Sequence, residues 1–94
     1  MSIVIIGGNE CMVCQYKNLC KQYKCQAKIY TNMNGTLKNK IGQPDLLVLF
    51  TNTVSHKMVR CAITETKGQK TVIARSHSSS MAALKNILDE HAVS

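Results

Sequence analysis

One uninterrupted apolar segment, Leu46–Phe50 (LLVLF), constrains the fold of this 94-residue chain more than any other feature. A half-exposed strand alternates apolar and polar residues, whereas a strand covered on both faces is apolar throughout. Ser2–Ile6 (SIVII) has the same character and ends at Gly7 and Gly8. The first strand is therefore predicted at Ser2–Ile6 and the third at Asp45–Phe50, both in the middle of a parallel sheet.

Helical and strand patterns alternate along the rest of the chain. Apolar residues at helical spacing predict one helix over residues 10–23, with Met12, Tyr16, Leu19 and Tyr23 in its buried stripe. A turn and a short helix are predicted at residues 32–41. The other predicted elements are strands at Gln26–Tyr30 and Thr71–Ala74, a helix capped by Thr51–Thr53 and ended by Gly68, and a last helix after Ser76–Ser80.

This alternation predicts a single α/β domain over residues 1–94. Short connections favour right-handed crossovers and a parallel sheet. The expected architecture is a small Rossmann-like or flavodoxin-like domain, with about four parallel strands in the order 2-1-3-4 and helices on both faces. Because a domain this short has a marginal core, we expect a homodimer or a larger homo-oligomer to cover an exposed edge or face.

Polar loops follow three of the predicted strands. In an open parallel sheet, ligands bind beyond the carboxyl ends of the strands, where helix amino termini present backbone N–H groups. Each polar side chain there could instead be an ordinary helix cap, an alternative that weakens if the loops converge. The candidate ligand- or cofactor-binding residues in these loops are Gly7, Gly8, Asn9, Thr51, Asn52, Thr53, Ser76, His77, Ser78, Ser79 and Ser80.

Two histidines belong to the same end of the predicted sheet. His56 lies in the first turn after the third strand, and His77 directly follows the fourth. Two imidazoles there could bind a metal or haem iron, transfer protons or hydrogen-bond an anion, and either alone could be an ordinary polar residue. No carboxylate is placed to orient either histidine, since Asp45 lies at the opposite end of its strand, so catalysis is the weaker hypothesis.

Cys11 and Cys14 form a C-x-x-C motif in the first turns of the first predicted helix. A helix amino terminus stabilises a thiolate, and helical geometry directs Cys14 away from the buried stripe, so both are candidate metal ligands or redox groups. The motif lacks the second C-x-x-C of a zinc ribbon and the histidine of covalent haem attachment. Cys20, Cys25 and Cys61 are predicted as small buried hydrophobic residues.

Charge and the amino terminus restrict the partners and the location. Twelve Lys and Arg against five Asp and Glu give a formal charge of +7, which favours anionic partners. The scarcity of stacking aromatics argues against nucleic acid, and neither a complete G-x-G-x-x-G fingerprint nor a phosphate loop is present. Met1–Ile6 lacks a signal peptide's basic segment and is too short to span a bilayer, which predicts a cytoplasmic protein without membrane contact.

Several stretches resemble one bacterial family. Leu49–Val59 (LFTNTVSHKMV) and Arg75–Ser80 (RSHSSS), with Ile5–Gly8 and Pro44-Asp45, are similar to the family called domain of unknown function 2325. The resemblance covers nearly the whole chain and implies a small bacterial cytoplasmic protein, with haem binding in an oxygen-linked role as an expectation. The site residues that it carries over are Thr51, Asn52, Thr53, Ser55, His56, Lys57, Arg75, Ser76, His77, Ser78, Ser79 and Ser80.

Three functions stay open on the sequence. The leading hypothesis is a small ligand- or cofactor-binding protein, with haem as the leading cofactor, His77 or His56 as the iron ligand, and Lys57 and Arg75 paired with propionates or another anion. The second is a small redox or hydrolytic enzyme that uses Cys11 or His77. The third is an interaction module for a nucleotide, another anion or nucleic acid.

Overall fold

The computed structural model describes residues 1–31, 42–54, 56–68 and 70–91. The predicted turn and short helix at 32–41, and Ser55, lie outside these residues. The elements in chain order are β1 (Ser2–Ile6), a 3-10 turn (Glu10–Met12), α1 (Val13–Gln22), β2 (Gln26–Tyr30), β3 (Leu46–Phe50), α2 (His56–Thr66), β4 (Val72–Ser76) and α3 (Met81–His91).

The four strands form one parallel sheet in the order β2-β1-β3-β4, which confirms the predicted architecture. In its middle, Val48 of β3 lies between Ile5 of β1 and Ala74 of β4. All five residues of β3 are buried, as a strand between two neighbours and two helical layers requires. The uninterrupted apolar pattern therefore identified the central strand correctly.

Helices cover both faces of the sheet, also as predicted. Ile3, Ile5 and Phe50 belong to the core that α1 and α3 cover, together with Leu84 and Leu88 of α3. Alternate residues of the same strands face the other way and pack with α2, because successive side chains of a strand point to opposite faces. This second core contains Val4, Ile6, Leu47, Leu49, Met58 and Ala62.

The first helix follows its predicted stripe but begins differently. Tyr16 is fully buried against the sheet, and Met12 packs against the same core. The continuous helix predicted from residue 10 is instead a 3-10 turn followed by α1. Asn9 caps this turn, because its side-chain oxygen accepts a hydrogen bond from the Cys11 N–H at 2.9 Å.

The fourth strand ends two residues later than its sequence pattern predicts. Arg75 and Ser76 pair with Leu49 and Phe50 of β3, so they belong to β4 rather than to the serine-rich loop. The ladder continues because β3 offers backbone partners up to Phe50, whatever side chains stand opposite. Among the described residues, no helix is long and apolar enough to cross a bilayer.

Candidate functional site

Three loops meet at the carboxyl end of the sheet and are joined by hydrogen bonds. The Gly8 N–H donates to Thr53 Oγ1 at 2.8 Å, which ties the loop after β1 to the loop after β3. The Thr51 N–H donates to the Ser76 carbonyl at 2.8 Å, which ties the loop after β3 to the end of β4. The three loops therefore form one surface, which weakens the alternative that their polar side chains are only helix caps.

The hydroxyl of Tyr16 completes this connection from inside the core. It accepts the Asn9 N–H at 3.3 Å and donates to the Ser79 carbonyl at 2.6 Å. Sequence reasoning assigned Tyr16 to the buried stripe alone and missed this second role. The sequence contains one signal for this role: a Tyr in the buried stripe of a helix. A buried Tyr hydroxyl normally finds a hydrogen-bond partner, so Tyr16 was a candidate for a contact with a neighbouring loop.

Gly7 and Gly8 allow the loop after β1 to approach the loop after β3. Gly7 has φ of +97°, and a Cβ built there would lie 2.6 Å from Val54 Cγ1 and 2.7 Å from Thr53 Oγ1. At Gly8, a Cβ would lie 2.9 Å from Tyr16 Cε2. Gly7 thus allows the contact between the two loops, and Gly8 leaves room for the Tyr16 ring.

The prediction that Thr51 and Thr53 cap the next helix is wrong. The Thr53 hydroxyl donates to the Phe50 carbonyl at 3.1 Å and accepts the Gly8 N–H. The Thr51 hydroxyl lies against Ser76 and His77 of the neighbouring strand end. Because α2 begins only at His56, neither residue is next to the helix, and among the described residues both hydroxyls join neighbouring loops or strand ends.

A cavity of about 310 Å³ opens between the end of β4 and the start of α2. We call it the Arg75 cavity. Arg75 reaches this side of the sheet because it pairs with Leu49, whose side chain belongs to the core beneath α2. Among the described residues that line the cavity, three are basic and none is acidic. The lining residues are Thr51, Val54, His56, Val59, Arg75 and His77.

One tautomer of His77 satisfies both hydrogen bonds of Thr51. Thr51 Oγ1 lies 3.2 Å from the Ser76 carbonyl oxygen and 3.1 Å from His77 Nδ1. A carbonyl oxygen only accepts, so when the single hydroxyl proton goes to Ser76, His77 Nδ1–H donates to Thr51. With that arrangement, neutral His77 carries its proton on Nδ1 and has a lone pair on Nε2.

A second recess of about 470 Å³ adjoins the Arg75 cavity along α2. We call it the Arg60 recess, and its lining residues are His56, Lys57, Val59 and Arg60. His56 and Val59 line both spaces, which are therefore neighbours. Sequence reasoning missed Arg60, although its position four residues after His56 places both on one face of the helix.

The serine-rich loop is stabilised mainly within itself. Ser76 Oγ donates to the Ser78 carbonyl at 2.8 Å and accepts the Ser78 N–H. Ser78 Oγ donates to Ser80 Oγ, which in turn accepts the Ala83 N–H at 3.1 Å and so caps α3. For Ser80, the ordinary capping alternative is therefore the correct one. Asn52 is exposed at the same end of the sheet.

The cysteines lie apart from the lining of the Arg75 cavity. Cys11 and Cys14 are exposed, as predicted, whereas Cys20 and Cys25 are buried and Cys61 is half-buried. Burial, and to a lesser degree the neighbouring Cys25, raises the pKa of Cys20 to about 11. The described part of the chain contains no group of three or more His, Cys, Asp or Glu side chains arranged to hold a metal ion.

Comparison with known proteins assigns the family. The model of a family described as "Uncharacterized protein conserved in bacteria (DUF2325)" matches residues 2–91. No curated protein and no solved structure matches the chain. The matched range includes every element of the sheet and both histidines of the Arg75 cavity. The chain therefore belongs to the DUF2325 family of bacterial proteins.

Proposed function

We propose that this protein binds a small anionic ligand or cofactor in the Arg75 cavity. The observation that carries the proposal is the convergence of Arg75, His56 and His77, from two separate elements, on one cavity of about 310 Å³. A guanidinium presents a planar set of donors that matches a phosphate or carboxylate, and the imidazoles add donors when protonated. A cavity of this size lies within the usual range for small-molecule sites.

The apolar and the polar residues of the cavity would contact different parts of a ligand. Val54 and Val59 supply an apolar wall for the organic part of a ligand, while Thr51 holds His77 in place by a hydrogen bond. The formal charge of +7 attracts anions over a longer range. This combination of one apolar wall and a few convergent donors is typical of sites that bind small organic anions.

Haem is a second candidate occupant, which one observation on His77 supports. The Nε2 of neutral His77 keeps a free lone pair, which is the atom that a histidine offers to haem iron. Val54 and Val59 are apolar neighbours, and Arg75 and Lys57 could pair with propionates. These residues fit the group, which when bound would supply an iron centre for binding oxygen or transferring electrons.

Titration calorimetry with inorganic phosphate, and absorbance spectra with added haemin, test the proposal. We expect saturable binding of at least one probe, weakened about tenfold or more by Arg75→Gln, since a charge-assisted hydrogen bond contributes about 1.5 to 3 kcal/mol. Lys21→Gln is the matched control, because it removes the same charge from an exposed site on α1. Binding of neither probe, or equal losses in both variants, would contradict the proposal.

The haem assignment has its own readout. A Soret band that develops with one haemin per chain and is lost in His77→Ala supports His77 as the iron ligand. Thr51→Val removes the hydrogen bond to Nδ1 while keeping the size of the side chain, so it should shift the band or weaken haemin binding without abolishing it. An unchanged spectrum in both His77→Ala and His56→Ala rules out histidine ligation.

We also infer that two copies of the chain associate through β4. Among the described residues, β4 pairs only with β3, and its Val72 and Ile73 are exposed to 45% and 37%. Antiparallel pairing of all five residues with a second β4 places Val72 opposite Ser76 and Ile73 opposite Arg75, so no like charges face each other. The opposite edge, β2, presents exposed Lys28, a usual protection against pairing.

A further inference from the structure

We infer that the ligand carries two anionic groups, the first held in the Arg75 cavity and the second by Lys57 and Arg60 in the Arg60 recess. This inference rests on the proposed function and specifies its ligand class. The two spaces share His56 and Val59 in their linings, so two groups of one short molecule lying past His56 would each contact one of them.

The ionisable residues in the described lining of the two neighbouring spaces are all basic. Arg75 and His77 lie at one end and Lys57 and Arg60 at the other, with His56 between them. All five side chains are exposed. An acidic residue is absent from the described lining of both spaces, so no carboxylate there competes with an anionic ligand for these basic side chains.

The basic residues at the start of α2 support the same conclusion. His56 and Lys57 occupy the first turn of the helix, and Arg60 follows one turn later, while the first turn contains no acidic residue. The amino end of a helix carries partial positive charge, so cations there work against the helix. In α1, by contrast, Lys21 lies in the last turn, where the same dipole favours it.

A diphosphate is the class of ligand that this arrangement favours. His56 lines both spaces and lies between the two groups of basic residues. Two anionic groups bound by these residues would therefore lie close together in one short molecule. Arginine binds two phosphate oxygens at once, and lysine binds phosphate as a compact point charge. Val54 and Val59 then contact the organic part of a diphosphate ester.

Titration calorimetry with pyrophosphate and inorganic phosphate tests the inference. The wild type should bind pyrophosphate at least tenfold more tightly than phosphate. The K57Q/R60Q variant should lose this preference and keep its phosphate affinity within about twofold, since a charge-assisted contact contributes a factor of about ten. Both substituted side chains are exposed, so the fold should survive, and a thermal melt checks this.

The matched control is K67Q/K70Q, which removes two charges between the end of α2 and the start of β4, at the far end of the sheet. It should keep the preference for pyrophosphate. Equal loss in the control, or a preference retained in K57Q/R60Q, overturns the inference. If phosphate binding depends on Arg75 but is no weaker than pyrophosphate binding, the inference of a diphosphate ligand is overturned and the proposed function stands. Tighter binding of glutarate than of pyrophosphate also overturns the diphosphate assignment.

Discussion

Gly7 lacks a side chain for two reasons: its backbone conformation and its close contact with the loop after β3. Comparison with Gly68 separates the energetic costs of these two effects. Both residues have positive φ, +97° and +86°, but a Cβ at Gly68 meets nothing within 4 Å. Gly68→Ala should therefore lower the free energy of unfolding by about 1 to 2 kcal/mol, the cost of a left-handed conformation. Gly7→Ala should cost about 1 to 3 kcal/mol more, because the loops must also separate.

Urea unfolding of the two variants measures this difference. Equal losses would show that the loop after β3 moves away from Gly7 without cost. A larger loss of unfolding free energy in Gly68→Ala than in Gly7→Ala would contradict the prediction that the contact between loops adds to the cost at Gly7.

The buried thiol of Cys20 makes stability depend on alkaline pH. Its pKa rises from the ordinary 9.0 to about 11 in the folded chain, mainly through burial. The contribution is fully present below pH 9 and is lost as pH rises towards 11, because the unfolded chain releases the proton first. We expect the free energy of unfolding to fall by at most about 1 kcal/mol per pH unit through this group.

Comparison of the wild type with Cys20→Ala from pH 8 to about 11 isolates the contribution of the Cys20 thiol to stability. The raised pKa of Cys20 sets this pH range. The variant should show a shallower decline with pH, although its stability at pH 8 is lower because of the cavity it creates. The pKa of Tyr23, raised by its hydrogen bond to Asp89, is common to both proteins. Parallel pH profiles would disprove the contribution of Cys20.

Among the elements, β4 differs from β3 in how far it is covered. Only Ala74 of β4 is buried, whereas every residue of β3 is. Among the described residues β4 pairs on one edge only, so its other edge can pair with a second strand, which would also cover part of its exposed side chains. If two copies pair through β4, light scattering should give twice the mass of one chain, and Ile73→Lys should give a single chain.

The control for this prediction is Gln26→Lys on β2, the other edge of the sheet. It adds the same charge to an exposed strand position and should leave the dimer intact. A wild-type protein that stays a single chain at high concentration, or dissociation by both variants, would exclude pairing through β4.

The elements also show where local pattern succeeds. The bounds of β1 and β2 were predicted to the residue, because β-branched and alternating segments end there at glycine or turn residues. The end of β4 was predicted two residues too early, because Arg75 and Ser76 have no apolar pattern and belong to the strand only through pairing with β3. The 3-10 turn before α1 was missed because it depends on the cap at Asn9.

For the molecule as a whole, the formal charge of +7 predicts that anion binding depends on salt. Raising the salt from about 0.02 M to about 0.2 M shortens the screening length from roughly 20 Å to below 10 Å, so distant cations stop contributing. We expect pyrophosphate affinity to fall about tenfold, while Arg75→Gln weakens binding at both salt concentrations. Titration calorimetry measures both effects, and affinity that is independent of salt would limit the attraction to direct contacts.

Sequence alone determined the sheet and the end of it where the candidate site lies, because apolar runs, helical spacing and turn residues are properties of neighbouring positions. The register of β3 and β4 decided the rest. It places Arg75 beside Leu49 and on the α2 side, where it meets His56 and His77, and it brings Thr51 to His77. Such contacts join residues about 20 or more positions apart, and no local pattern specifies them, since they depend on how whole elements pack.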